Sequence, residues 1–138
     1  MITQTQTTSF KEELYEGIHN LLVDTIKIAL YTAAAELGED TLAYTATGEV
    51  TGTGYVAGGI ILTGATVQSS DNTAYVSFND ASWPGSSFTS RGALIYNASK
   101  ANRSVAVLNF GADRTVTNQT FTVTFPANTA TSAIIRST

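Results

Sequence analysis

Two hydrophobic periods divide this chain. Between Phe10 and Leu22, apolar residues recur at three- and four-residue spacing (Phe10, Leu14, Ile18, Leu21, Leu22), which is one stripe on a helix. Ser9 and Glu12 form the S-x-x-E pattern of a capping box, and Glu12 and Glu13 stand where the helix dipole favours negative charge. Gly17 is the weak point of that helix. From Asp24 the period falls to two. Ile26, Ile28 and Leu30 alternate with Thr25, Lys27, Ala29 and Tyr31, as in a strand with one buried face.

Short strands then follow in close succession. The stretch from Ala33 to Gly58 is glycine-rich and reads as a long loop or irregular edge strands. Strands are expected at Gly59–Thr63, Ala65–Ser69 and Thr73–Phe78, the last with Ala74, Val76 and Phe78 on one face. A Trp83-Pro84-Gly85 loop separates them from a hairpin of Ala93–Asn97 and Ser104–Phe110. Both hairpin strands are apolar on both faces, which puts them centrally. Thr120–Phe125 alternates cleanly, and Ala133–Arg136 closes the chain. The pattern predicts a mainly β fold: a two-sheet antiparallel β-sandwich, jelly-roll-like, with one short N-terminal helix. Residues 1–8 are polar and without period, so they are expected to form a flexible arm ahead of a single domain over 9–138.

Composition narrows the function. The 138 residues are 43% hydrophobic, enough to build a core, but only 13% charged, about half the usual share. Thr, Ser, Ala, Gly and Asn fill the surface, and so neutral a surface weakens repulsion between neighbouring copies. The net charge is −4 and the seven Lys and Arg residues stand apart, so no basic face exists for phosphates. Direct nucleic-acid binding is not expected. Cysteine is absent, no apolar run has membrane-spanning length, and the start lacks the pattern of a signal peptide. Synthesis in the cytoplasm, without membrane contact, is the expectation. A secreted β-domain with no assembly role is the plainer alternative.

A search for chemistry returns little. His19 is the one histidine, without a partner histidine for a zinc site or a G-x-S-x-G elbow for a triad. Glu12, Glu13 and Glu16 read as a solvated helix face. Glu36, Glu39, Asp40 and Glu49 fall in the long loop without a D-x-[DN]-x-[DN]-G calcium pattern. Gly52-Thr53-Gly54 lacks the third glycine and the lysine of a phosphate loop. No catalytic residue, metal ligand or cofactor is therefore assigned, and an enzyme is not expected. Exposed aromatics could stack on carbohydrate, with Trp83 the first candidate and Tyr44 and Tyr55 beside it.

Three stretches carry a resemblance. They are Ser9-Phe-Lys-Glu-Glu-Leu with Asp24-Thr-Ile-Lys-Ile-Ala-Leu-Tyr-Thr, then Gly52-Thr-Gly-Tyr-Val-Ala-Gly-Gly, then Thr89-Ser-Arg-Gly-Ala-Leu-Ile-Tyr-Asn. In this order the chain resembles a family of small structural proteins of tailed bacteriophages. The resemblance implies a virion protein on the capsid surface, a cement or decoration protein. Its partners would be the major capsid protein and further copies of itself, as a homodimer or homotrimer. A tail, baseplate or fibre component that contacts host glycans is the alternative. Under the resemblance the contact groups would be the arm (Thr5, Thr7, Thr8), the long loop (Tyr44, Tyr55), the Trp83 loop and Arg91. Arg91 either pairs with an interfacial carboxylate or simply opens a strand beside Gly92.

Overall fold

A computed structural model describes residues 1–126 and 133–137. The chain forms β1 (Thr5–Gln6), α1 (Thr8–Tyr15), β2 (Ile26–Tyr31), β3 (Ile60–Ile61), β4 (Thr66–Ser70), β5 (Thr73–Ser77), β6 (Ala81–Asn97), β7 (Arg103–Val123) and β8 (Ile135–Ser137). It is mainly β, with two antiparallel sheets and one short helix. The larger sheet has the order β1-β7-β6-β2-β3 and the smaller β4-β5-β8. Among the described residues the strands divide five and three.

One core lies between the sheets. Ile26, Ile28 and Leu30 of β2, Ile95 of β6 and Val105 of β7 meet Val76 of β5 and Ile135 of β8 there. The opposite face of the larger sheet is buried too. Ala29, Tyr31, Leu94, Tyr96 and Val107 pack against Ile2, Ala35 and Leu37. So β2 has two buried faces, in place of the one that its alternation suggested. The long loop and the N-terminus cover the second face.

The first eight residues are accordingly no free arm. Thr5 and Gln6 pair with Val107 and Ala106 as an edge strand. Ile2 is 5% exposed, and Thr3 N donates to the Leu37 carbonyl at 2.9 Å. Burying Ile2 contributes about 1.5–3 kcal/mol, and the β1 pairing and the Thr3 bond add to it against the cost of ordering the segment.

The helix is shorter than its stripe. Thr7, not Ser9, is the N-cap: its hydroxyl accepts from the Phe10 amide at 3.3 Å. At the other end Gly17 adopts φ +74°. Gly17 N then donates to Leu14 O and Ile18 N to Glu13 O, the paired bonds of a Schellman stop. Of the five stripe residues only Phe10 is buried on the helix itself. Eight residues are marginal alone, and the Phe10 anchor holds them.

Four expected segments merge into one long hairpin. β6 runs 17 residues and β7 runs 21. Pro84 and Gly85 lie inside β6 as a bulge, where the register shifts between Trp83 and Ser86. The Ser86 hydroxyl donates to the Trp83 carbonyl at 2.8 Å and ties the bulge. Trp83 therefore faces the core beside Phe121, 2% exposed, and not a surface loop.

Candidate functional site

The expected contact residues separate into buried and surface groups. Thr7 is fully buried, its hydroxyl 2.9 Å from that of Ser104. Trp83 is buried, and Tyr44 and Tyr55 are half-buried with their hydroxyls engaged. These four are structural, and Trp83 and Thr7 cannot meet a partner without unfolding. Thr5 is half-buried on an edge strand and Thr8 is exposed. Arg91 stays at the surface, with Nη1 3.3 Å from Asp113 Oδ1 across the hairpin. Both partners are substantially exposed, so that pair is worth at most ~1 kcal/mol.

The long loop is fixed by one carboxylate. Glu49 Oε1 accepts from the Tyr44 hydroxyl at 2.6 Å. Its Oε2 accepts from the Tyr55 hydroxyl and from the Gly58 amide, the latter at 2.8 Å. The Tyr96 hydroxyl donates to the Gly58 carbonyl at 2.5 Å, and Tyr31 donates to Thr45 O at 2.6 Å. Tyr55 also accepts from the Leu30 amide of β2 at 3.0 Å. Four tyrosines and one glutamate thus lock the loop onto the sheet, a group of residues that sequence spacing could not assemble. Both Glu49 carboxylate oxygens are engaged by these bonds, and among the described residues no group of three or more His, Asp or Glu converges on a metal position.

Burial, then the Glu49 hydrogen bond, pushes the Tyr44 phenol up to about 12. The same two causes raise Tyr55 further; for Tyr31, burial leads and the Glu49 charge adds to it. A phenol whose folded pKa is raised contributes stability below its unfolded pKa of about 10 and loses it as pH rises through the folded value. Followed through the tyrosinate absorption band, Tyr44 should ionise near pH 12, and Tyr31 and Tyr55 only as the fold opens. Titration of all three at the ordinary phenol value, with a native circular dichroism spectrum, would refute the knot.

A second polar cluster surrounds His19, whose side chain is fully buried. Asn97 Nδ2 lies 2.9 Å from His19 Nδ1 and 2.8 Å from Asp24 Oδ2. A donating amide makes Nδ1 the acceptor, so the proton sits on Nε2 and points at Glu13 Oε1, 2.8 Å away. Arg103 closes the line on Glu13 Oε2 at 2.9 Å. Burial would raise the Asp24 carboxyl, but the Asn20 amide, Asn97 and Lys100 outweigh it and hold it below the usual aspartate value. Both histidine nitrogens are committed to α1 and β6 contacts, so His19 acts as a tie between the helix turn and the hairpin. Glu13, expected on a solvated face, is part of that tie.

No protein-family model, curated protein or solved structure matches this chain. The reading of function therefore rests on surfaces. One stands apart: from Val50 to Ser70 no residue is charged. This run supplies β3, at the end of the larger sheet, and β4 of the smaller sheet, with a short link between them. Val56, Ile61 and Val67 are exposed along it, at 75%, 59% and 49%. The sequence placed strands at Gly59–Thr63 and Ala65–Ser69 and a contact group in the loop before them, but it did not single out Val56, Ile61 and Val67.

Proposed function

We propose that this protein is a non-enzymatic virion component, a capsid cement protein that packs across junctions between major capsid subunits. The observation that carries the reading is the flank from Val50 to Ser70, uncharged and studded with exposed aliphatic side chains. Depletion of charge is the compositional mark of the buried centre of a protein–protein interface. The body behind the flank is stiffened by the Glu49 knot and the long hairpin, so little order is lost when it docks. The work of a cement protein is mechanical: each copy adds buried area across a junction that internal pressure would open, and repetition over a shell multiplies a modest affinity.

The glycan-binding alternative loses its first candidates, since Trp83 is buried and the Tyr44 and Tyr55 hydroxyls are engaged. Tyr15, 94% exposed at the end of α1, is the aromatic that could serve it. The test is quantification of this protein in purified particles by calibrated mass spectrometry. A copy number comparable with the major capsid protein is expected. Far fewer copies would overturn the cement reading and move the protein to the tail or portal, with Tyr15 then the residue to replace.

A further inference from the structure

We infer that the contact between His19 and Asn97 is a pH-sensitive latch: a proton taken up by His19 releases the turn after α1 from the tip of the β6–β7 hairpin.

Asn97 fixes the closed state. Its side chain is fully buried where β6 ends. Its Oδ1 accepts from the Ser99 amide at 3.0 Å, and its Nδ2 donates to Asp24 Oδ2 at 2.8 Å. Those two bonds set which way the amide faces. The nitrogen that meets His19 Nδ1 at 2.9 Å can therefore only donate, and Nδ1 carries no proton.

Between roughly pH 8 and pH 5, histidine is the side chain whose charge ordinarily changes, and His19 is the one histidine. An added proton must go to Nδ1, since Nε2 already holds one. There it meets the Asn97 N–H, a donor facing a donor. Turning the Asn97 amide over does not help: Oδ1 would then face the Asp24 carboxylate, and Nδ2 the Ser99 amide. At Nε2 the same proton strengthens the bond to Glu13, which becomes charge-assisted. Protonation therefore divides the tie unequally, holding His19 to α1 and driving it from β6.

The charges around the ring are already partnered. Glu13 of α1 takes Nε2–H on one oxygen and Arg103 of β7 on the other. Asp24, in the turn before β2, is joined to Asn97 and lies 3.8 Å from Lys100 at the hairpin tip. The Phe10 ring, 5.0 Å from the imidazole, offers no acceptor.

The bonds between turn and hairpin tip hang on Asn97. Ser99 N rests on Asn97 Oδ1, Thr25 N on Ser99 Oγ at 2.8 Å, and Ala98 N on Thr25 O at 2.9 Å. Displacing the Asn97 side chain removes the first directly and loosens the other two. The turn is closed on itself by the Asn20 amide on Asp24 Oδ2 at 2.9 Å, so it moves as a unit and carries the exposed Leu22 and Val23 with it.

Amide hydrogen exchange, followed by NMR and corrected for intrinsic rates, tests the latch. From pH 8 to pH 5 the Ala98 and Ser99 amides should lose protection by about tenfold or more, the effect of losing a buried hydrogen bond on a local opening. The β2–β6 ladder should keep its protection. His19→Asn sets a carbonyl oxygen near the place of Nδ1 and takes up no proton, so its pH response should vanish. Where circular dichroism shows that variant unfolded, the imidazole nitrogen shifts of the wild type decide: Nδ1 should be bare at pH 8, and protection should fall in step with its protonation. A proton on Nδ1 at pH 8, protection that holds down to pH 5, or a response that persists in folded His19→Asn would overturn the latch.

Discussion

Gly59→Ala should destabilise the protein more than any other single methyl addition in the long loop, lowering its melting temperature by more than about 10 °C. Gly59 holds φ +78°, and a Cβ built there would lie 1.8 Å from the Ile28 carbonyl oxygen and 2.8 Å from the Ala29 Cα. Those atoms are backbone of a paired central strand and cannot swing aside. The left-handed conformation alone costs an alanine about 1–2 kcal/mol. The clash adds the displacement of β3 from β2 and of Gly58 from the Glu49 and Tyr96 bonds. Gly85→Ala separates the two costs. Gly85 has φ +59° but nothing within 4 Å of a built Cβ, so only the conformational strain should appear. Thermal melts of the two variants side by side measure the difference. Equal losses would mean that the loop can lift off β2 freely.

That comparison bears on what the sequence could reveal. A glycine-rich stretch reads as a loop, and the stretch from Ala33 to Gly58 is one. Its glycines, however, reflect close approach to the sheet, which depends on partners far along the chain. Local periods carried the rest. The alternation at Ile26, Ile28 and Leu30 placed β2, and the turn at Asp71-Asn72 placed the β4–β5 hairpin. The stripe from Phe10 to Leu22 located α1 but overstated it, because Gly17 accepts a left-handed conformation and ends the helix before Ile18.

Where local signals failed, a distant contact decided. Ile2 is one apolar residue among Thr and Gln, too little to signal an edge strand, yet Leu37 and β7 hold the segment in place. Pro84-Gly85 is a strong turn signal that here makes a bulge, since the paired β7 continues on the other side. The Glu49 knot joins a loop carboxylate to tyrosines on both sides of it in sequence and to Gly58, which Tyr96 of β6 also holds. No spacing rule anticipates such a group.

Trp83 supplies the second large effect, and its two substitutions should diverge. The indole packs with Phe121 at a 6.0 Å ring separation and Tyr55 at 6.4 Å, and Phe121 in turn meets Phe88 at 5.1 Å and Phe110 at 6.1 Å. Trp83→Ala removes the largest ring of that cluster and should cost about 3–5 kcal/mol, a large share of a stability of about 5–15 kcal/mol. Trp83→Phe keeps a ring in place. It also removes Nε1, which is buried and has no hydrogen-bond partner among the described residues. A buried donor left unsatisfied costs about 1–3 kcal/mol, so its removal offsets much of the lost volume. Trp83→Phe should therefore lie within about 1.5 kcal/mol of the parent in denaturant titrations. Because Trp83 is the single tryptophan, its emission in the parent should be that of an apolar site and should shift to longer wavelength only at the unfolding transition. Equal damage from the two substitutions would give the indole N–H a partner and make the hydrogen bond, not the ring, what the bulge at Pro84 is built to hold.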